Sequence, residues 1–293
     1  MPSKNLLSAN TRSRARRIAG LVYGASAFIG TWVFFVWFAI FLGNLPKRAS
    51  PWIEPTVDRG TEIDPVVAAI ANFALVTLFC LQHSVMARPS VKRAMATCIP
   101  ADLERATYVH AANLAGFALL ALWTPISIPV WSIGNDILKA AIWFGFGLGW
   151  LTLLLAALSM GITELLGLRQ TWHWYTGKPA PRLALKTSWL YRYCEHPMYV
   201  GVLLGVWMTP HMTVGHALLA LQFTLYIALA MRFERRDLEQ RYGKDYLHWR
   251  SPDRPRTLPA AAISGIARGL ERSFAPVAAE PLPRRMTVLL ARI

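Results

Sequence analysis

Arg192-Tyr193-Cys194-Glu195-His196-Pro197-Met198-Tyr199-Val200-Gly201 decides the fold, because it leads into an uncharged run from Pro197 to Met231 that stops at Arg232-Phe233-Glu234-Arg235-Arg236-Asp237-Leu238. If that run crossed a membrane once, Arg232, Arg235, Arg236, Arg241, Lys244, Arg250, Arg254 and Arg256 would lie opposite the basic loop before it, which carries Arg169, Lys178, Arg182, Lys186 and Arg192. Basic loops stay on the cytoplasmic side, so the run is predicted to turn back at Thr209-Pro210-His211-Met212-Thr213. At about 1.5 Å of rise per residue, the arm from Met198 to Thr209 is too short to cross, while Thr213 to Met231 nearly spans. An unequal helical hairpin follows, with two polar clusters at its base.

The rest of the chain agrees. It is 54% hydrophobic and only 16% charged, too apolar for a soluble domain of this length. Ile18 to Gly43, Pro65 to Leu81, His110 to Asn135 and Ala140 to Thr163 carry no Asp, Glu, Lys or Arg, and each is near the roughly 20 apolar residues a spanning helix needs. The first window follows Arg12, Arg14, Arg16 and Arg17 but is too long for a cleaved signal segment, whose apolar part runs about 7–15 residues; it reads as a retained span.

Those arginines place the N-terminus inside, and the loop with Arg88, Lys92, Arg93 and Arg105 is basic, whereas Glu54, Asp58, Glu62 and Asp64 balance the loop between. The fold class is therefore all-α: a polytopic membrane helical bundle of four spans plus a C-terminal helical hairpin, with cytosolic N- and C-termini. Residues 1–17 form a basic cytosolic N-terminus, 18–250 the membrane domain, and 251–293 a Pro-, Arg- and Ala-rich tail.

The net charge of +15 sits in short loops, where it is an orientation signal rather than a nucleic-acid surface. Cys80, Cys98 and Cys194 have no metal-ligand spacing, so no metal site and no disulfide framework is indicated. Ionisable clusters beside a membrane-length apolar segment are costly unless they bind a polar ligand or pair with other charges. Both readings stay open for the two clusters.

The pattern Arg-aromatic-x-x-His-Pro-x-Tyr-x-Gly, an apolar hairpin, and Glu-x-x-Asp-Leu followed by Tyr242-Gly243 and Tyr246 resembles membrane methyltransferases of the isoprenylcysteine carboxyl and phospholipid methyltransferase superfamily. Four further stretches resemble methanethiol S-methyltransferases and their NnrU-like relatives: Leu81-Gln82-His83-Ser84-Val85-Met86-Ala87-Arg88-Pro89, Glu104-Arg105-Ala106-Thr107-Tyr108-Val109, Leu166-Gly167-Leu168-Arg169-Gln170 and Met212-Thr213-Val214-Gly215-His216. The resemblance implies transfer of a methyl group from S-adenosylmethionine, as co-substrate, to methanethiol, giving dimethyl sulfide. It also implies a small thiol partner, a lipid bilayer and an active site facing the cytosol, as in a bacterial inner membrane. The alternatives are another thiol or a lipid acceptor, or a non-catalytic NnrU-like accessory protein. A transporter fits less well, because the spans lack midplane ionisable residues.

Carried over position by position, the resemblance assigns the donor's carboxylate to Arg192, a donor hydrogen bond or an orienting role to His196, the pocket wall to Tyr199, and the amino group or ribose hydroxyls to Glu234. The competing readings are a positive-inside anchor, an interfacial aromatic and a salt-bridge partner for Arg192, Tyr199 and Glu234. Pro197 and Gly201 serve geometry: Pro is tolerated in a first helical turn, and a small residue permits close approach.

The acceptor thiol must lose a proton, and His83 is the candidate catalytic base or positioning group, set against a simple interfacial histidine. Arg105, Glu164 and Arg169 shape an acceptor pocket or brace a loop, with bracing favoured for Glu164. His211 and His216, near the hairpin tip, take structural roles, and the aromatics from Trp172 to Tyr193 belong mostly to the membrane's aromatic belt.

Two positions depart from the superfamily, which has Arg before the His-Pro and a second Glu after the first. Here Glu195 and Arg235 stand there, each reversed in sign. Together they predict a charge-swapped salt bridge at the hairpin's base. A third departure, Gly161-Ile162-Thr163 before Glu164 where the narrower family often has a His, leaves that turn without an assigned role.

Overall fold

The computed structural model describes residues 13–44, 55–178, 189–244 and Leu247, without the side chains of Trp189, Arg192, Arg241 and Tyr242. The N-terminal residues 1–12, Arg182, Lys186, Tyr246 and the tail at 251–293 lie outside the described residues.

The described helices are α1 (Arg14–Gly43), α2 (Pro65–Val85), α3 (Pro89–Met95), α4 (Ala101–Ala121), α5 (Asp136–Met160), α6 (Ile162–Leu165), α7 (Leu168–Thr176), α8 (Pro197–Trp207) and α9 (Val214–Tyr242). Short strands β1 (Pro129–Ser132) and β2 (His211–Thr213) join them. Four of the helices, α1, α2, α5 and α9, are long and apolar enough to cross a membrane. The protein is an integral membrane protein built as a helical bundle.

Helix starts follow local chemistry. The Asp64 carboxylate accepts from the amides of Val66 and Val67 at 3.0 and 3.1 Å, with Pro65 in the first turn, where no amide is needed. Asn135 accepts from Leu138 N at 2.9 Å, and Thr213 Oγ1 from His216 N at 3.2 Å.

The hairpin has the expected unequal arms, α8 of 11 residues and α9 of 29. The third apolar window is corrected. Helix α4 begins at Ala101 and stops at Ala121, and the second half of the window is extended and ends in β1. Pro125 and Pro129 lack amide donors and interrupt the helix. The freed backbone pairs with the hairpin turn instead. β1 runs antiparallel to β2, Val214 N donates to Ile128 O at 2.8 Å, and Ile133 N donates to Pro210 O at 2.9 Å. This lid over the hairpin tip carries no periodicity that sequence reading would detect.

Between lipid-facing helices there is no hydrophobic drive, so close packing must come from small residues and polar contacts. The α5–α8 seam shows the first device. A Cβ added at Gly201 would lie 2.7 Å from Leu153 N and 2.8 Å from Gly149 O, and one at Gly149 would lie 2.7 Å from Leu204 Cβ. The two backbones therefore touch where Gly149 meets Gly201 and Gly205, while Gly145 faces the Met208 side chain.

The α1–α4 seam shows the second device. Thr31 Oγ1 donates to Asn113 Oδ1 at 3.1 Å, Asn113 Nδ2 to Ala27 O at 3.0 Å, and Tyr23 Oη to Thr107 Oγ1 at 3.1 Å. Between these seams lies an aromatic core of Phe34, Phe38, Phe41, Trp123 and Phe223.

Candidate active site

Alternating helix directions bring the C-terminal end of α2, the N-terminal ends of α4 and α8, and the charged end of α9 to one end of the bundle. His196 is the residue before α8, and Pro197 occupies the first turn, which fixes where the imidazole leaves the backbone. Tyr199 follows within that turn, and Glu234 faces it from α9.

The three form one cluster. Tyr199 Oη donates to Glu234 Oε2 at 2.7 Å, and His196 Nδ1 stands 3.5 Å from the same oxygen. The His196 and Tyr199 rings stack, with centroids 5.2 Å apart and planes 24° from parallel. The predicted charge-swapped pair is formed: Arg235 Nη2 donates to Glu195 Oε2 at 3.0 Å. Each partner is the chain neighbour of a cluster residue, so the ion pair fixes the register of His196 against Glu234.

Glu234 keeps 43% of its side chain exposed, which leaves carboxylate lone pairs open to a ligand's ammonium or hydroxyl groups. Burial, followed by the charge of Glu234, raises the Tyr191 phenol well above its usual value, so it stays a neutral wall beside that carboxylate.

The side chain of Arg192 lies outside the described residues. His83 is close by on α2. Its carbonyl accepts from Tyr108 Oη at 3.1 Å, and its ring packs 5.3 Å from the Tyr108 ring and 5.8 Å from Phe79. Its Nδ1 is shielded from solvent and has no hydrogen-bond partner.

Two tyrosines that sequence reading left without a role connect the halves. Tyr199 lies within electrostatic range of both Tyr226 and Tyr108, and Ser84, next to His83, donates to Tyr226 Oη at 3.1 Å. Spacing could have found Tyr226: it lies two helical turns before Glu234, on the same face of α9.

Glu164 braces its segment as expected, paired with Arg169 at 3.1 Å, while its carbonyl accepts from Gln170 Nε2 at 3.0 Å. Arg105 Nε donates to Leu165 O at 2.6 Å, tying α4 to that segment. His216 is a structural histidine near the hairpin turn, with Nε2 at 2.9 Å from Val206 O. Of the loop aromatics, Trp174 docks on α1 through Nε1 to Arg16 O at 3.1 Å, while Trp172 and Tyr193 are exposed. Among the described residues no His, Cys, Asp and Glu group is arranged to hold a metal.

This arrangement offers an open carboxylate with stacked aromatic rings, and a shielded imidazole on α2, at the same end of the bundle. Those groups suit a cationic ligand carrying hydroxyls beside a small apolar one.

The chain is similar to known proteins. The phospholipid methyltransferase family matches residues 141–245, which span α5 to the end of α9. A methanethiol S-methyltransferase from Mycobacterium tuberculosis is 34% identical over 80% of this chain and 94% of its own length. One from a Pseudomonas sp. is 37% identical over 78% of this chain and 86% of its own length. Nurim from Rattus norvegicus is 31% identical over 71% of this chain and 84% of its own length. No solved structure matches the chain.

Proposed function

The chain belongs to the methanethiol S-methyltransferase family, and from that premise we propose that it transfers a methyl group from S-adenosylmethionine to methanethiol, producing dimethyl sulfide. The Tyr199–Glu234–His196 cluster carries this reading, because it places an open carboxylate beside stacked aromatic faces at the end of an apolar hairpin.

When bound, S-adenosylmethionine supplies a methyl group on a positive sulfur. Glu234 binds its amino group or ribose hydroxyls, with Tyr199 fixing the carboxylate through its phenol and His196 orienting both. Arg192 is assigned the donor's carboxylate. The aromatic faces of Tyr199 and Tyr191 favour the sulfonium charge and exclude water.

The acceptor approaches from the α2–α4 side. The thiol proton leaves to His83 Nδ1, the thiolate lone pair forms the new sulfur–methyl bond, and the electrons of the broken bond stay on the departing thioether sulfur. No covalent intermediate with the protein is needed. Alignment and desolvation do the work, and such positioning supplies about 7–11 kcal/mol in favourable cases.

The site faces the cytosol, where the donor is made, in a bacterial inner membrane. The basic segments flanking it support that orientation. The test is donor binding to the purified protein by calorimetry. Wild type is expected to bind S-adenosylmethionine and Glu234→Ala to lose most of that affinity; equal affinity in both would remove the cluster from the donor site.

A further inference from the structure

We propose that Arg105 holds the acceptor as its thiolate, in an anion subsite shared with His83 and Tyr108 and separate from the donor cluster. The proposal rests on the methyl-transfer reading.

Arg105 is partly buried near the start of α4, and among the described residues its guanidinium has no carboxylate partner. A shielded charge without an ion-pair contact is costly, and the neighbouring glutamates make their ion pairs elsewhere. Glu104, its chain neighbour, pairs with Lys92 at 3.3 Å, and Glu164 is taken by Arg169 at 3.1 Å. The Nε–H is used on Leu165 O, which fixes the plane of the fork while its Nη groups make no hydrogen bond within the described protein.

A second observation points to the same place. The guanidinium carbon lies 4.9 Å from the Tyr108 ring centroid, and the His83 ring lies 5.3 Å from that same ring. Cation and imidazole thus pack against one phenol, and the imidazole's Nδ1 is shielded without a partner among the described residues. An acceptor sulfur within reach of both would give its proton to the imidazole and its charge to the guanidinium. Phe79, stacked on His83 with planes 24° apart, supplies an apolar wall suited to a methyl group.

The elements around Arg105 carry other ionisable groups, Arg14 and Arg16 at the start of α1 and Tyr175 on α7 among them, and several are committed. On α1, Tyr23 donates to Thr107 and Arg17 to the Tyr175 carbonyl. On α2 there are Cys80 and His83; on α3, Lys92 and Arg93; on α4, Asp102, Glu104, Tyr108 and His110, the last bonded to Tyr23 O at 3.0 Å. On α6 and α7 there are Glu164, Arg169 and His173. Among these, Arg105 is the cation that lies against the Tyr108 ring, so a thiolate beside that ring and His83 would meet its charge.

The experiment measures kcat/KM for methanethiol from neutral to alkaline pH in purified wild type, Arg105→Gln, Arg105→Lys and Glu164→Gln, with donor Kd measured alongside. Arg105→Gln is expected to lose roughly 10- to 100-fold at neutral pH, the scale of one charged hydrogen bond, with donor Kd within about twofold of wild type. That deficit is expected to shrink as solvent hydroxide ionises the thiol, and Arg105→Lys to recover most of the rate. Glu164→Gln loosens the same segment and is expected to keep the wild-type pH profile.

A deficit of constant size across pH, or none, would overturn the proposal. A matching loss of donor affinity would also overturn it and assign Arg105 to the donor's carboxylate. Wild type that binds donor but leaves methanethiol unmethylated would remove the methyl-transfer reading itself, and the proposal with it.

Discussion

The two ends of the helical bundle treat their polar groups differently. At the Asp58 end they satisfy one another. Asp58 accepts from Thr213 and, at 3.2 Å, from Asn44 Nδ2; Asn72 exchanges hydrogen bonds with Thr124 at 2.6 and 3.1 Å; and Trp123 Nε1 donates to Val57 O at 3.0 Å. At the His196 end, His83 Nδ1, Gln82 Oε1 and Arg235 Nε are shielded yet without partners among the described residues, and Arg105 makes no carboxylate ion pair there. Buried polar groups are nearly always paired. A closed network is architecture, and an open one beside ionisable groups is where a ligand completes the bonding. Two exceptions lie toward the Asp58 end, Trp37 Nε1 and His216 Nδ1, the latter on a ring whose Nε2 reaches Val206 O.

The largest expected effect separates the ends. Glu234→Ala should lower donor affinity or turnover roughly 100-fold, because it removes a charged acceptor from both Tyr199 and His196, while leaving thermal unfolding nearly unchanged. Isothermal binding and unfolding of the same preparation check it; equal losses in both would erase the distinction. Next, Gly201→Val forces a side chain into backbone 2.7 Å away and should cost about 1–3 kcal/mol of stability, with activity lost in proportion as α8 moves. A variant of wild-type stability would show that the seam yields.

Arg235→Glu sets like charges together and should weaken donor binding about tenfold, a typical cost of misplacing a partly exposed charge pair, and adding Glu195→Arg should restore most of it. If the double variant is no better than the single, the ion pair does not position the site. The smallest effect belongs to the closed end. Asp58→Asn should cost about 1 kcal/mol of stability and leave donor Kd unchanged, read by the same two measurements.

Much of this contrast was legible in the chain. Charge placement alone required the hairpin, and helical rise made its arms unequal. Two opposite sign reversals, harmful singly, pointed to the Glu195–Arg235 pair, and the geometry supplies it. What escaped depends on contacts between distant segments. The extended stretch after α4 looks like a span by hydropathy, and only its pairing with the hairpin turn explains why prolines at 125 and 129 are tolerated there. Tyr108 lies in a quoted motif but gained no role, since its meaning comes from His83 on another helix. Arg105 likewise reads as one more basic loop residue. Its lack of a partner becomes visible only when the neighbouring acids are seen paired elsewhere.

The most direct test of the account is headspace gas chromatography on membranes containing the protein, supplied with methanethiol and S-adenosylmethionine, beside membranes containing Glu234→Ala. Dimethyl sulfide from wild type, strongly reduced in the variant, is the predicted result. Equal dimethyl sulfide from both, or none from a wild type that binds the donor, would contradict the claim that this end of the bundle methylates methanethiol.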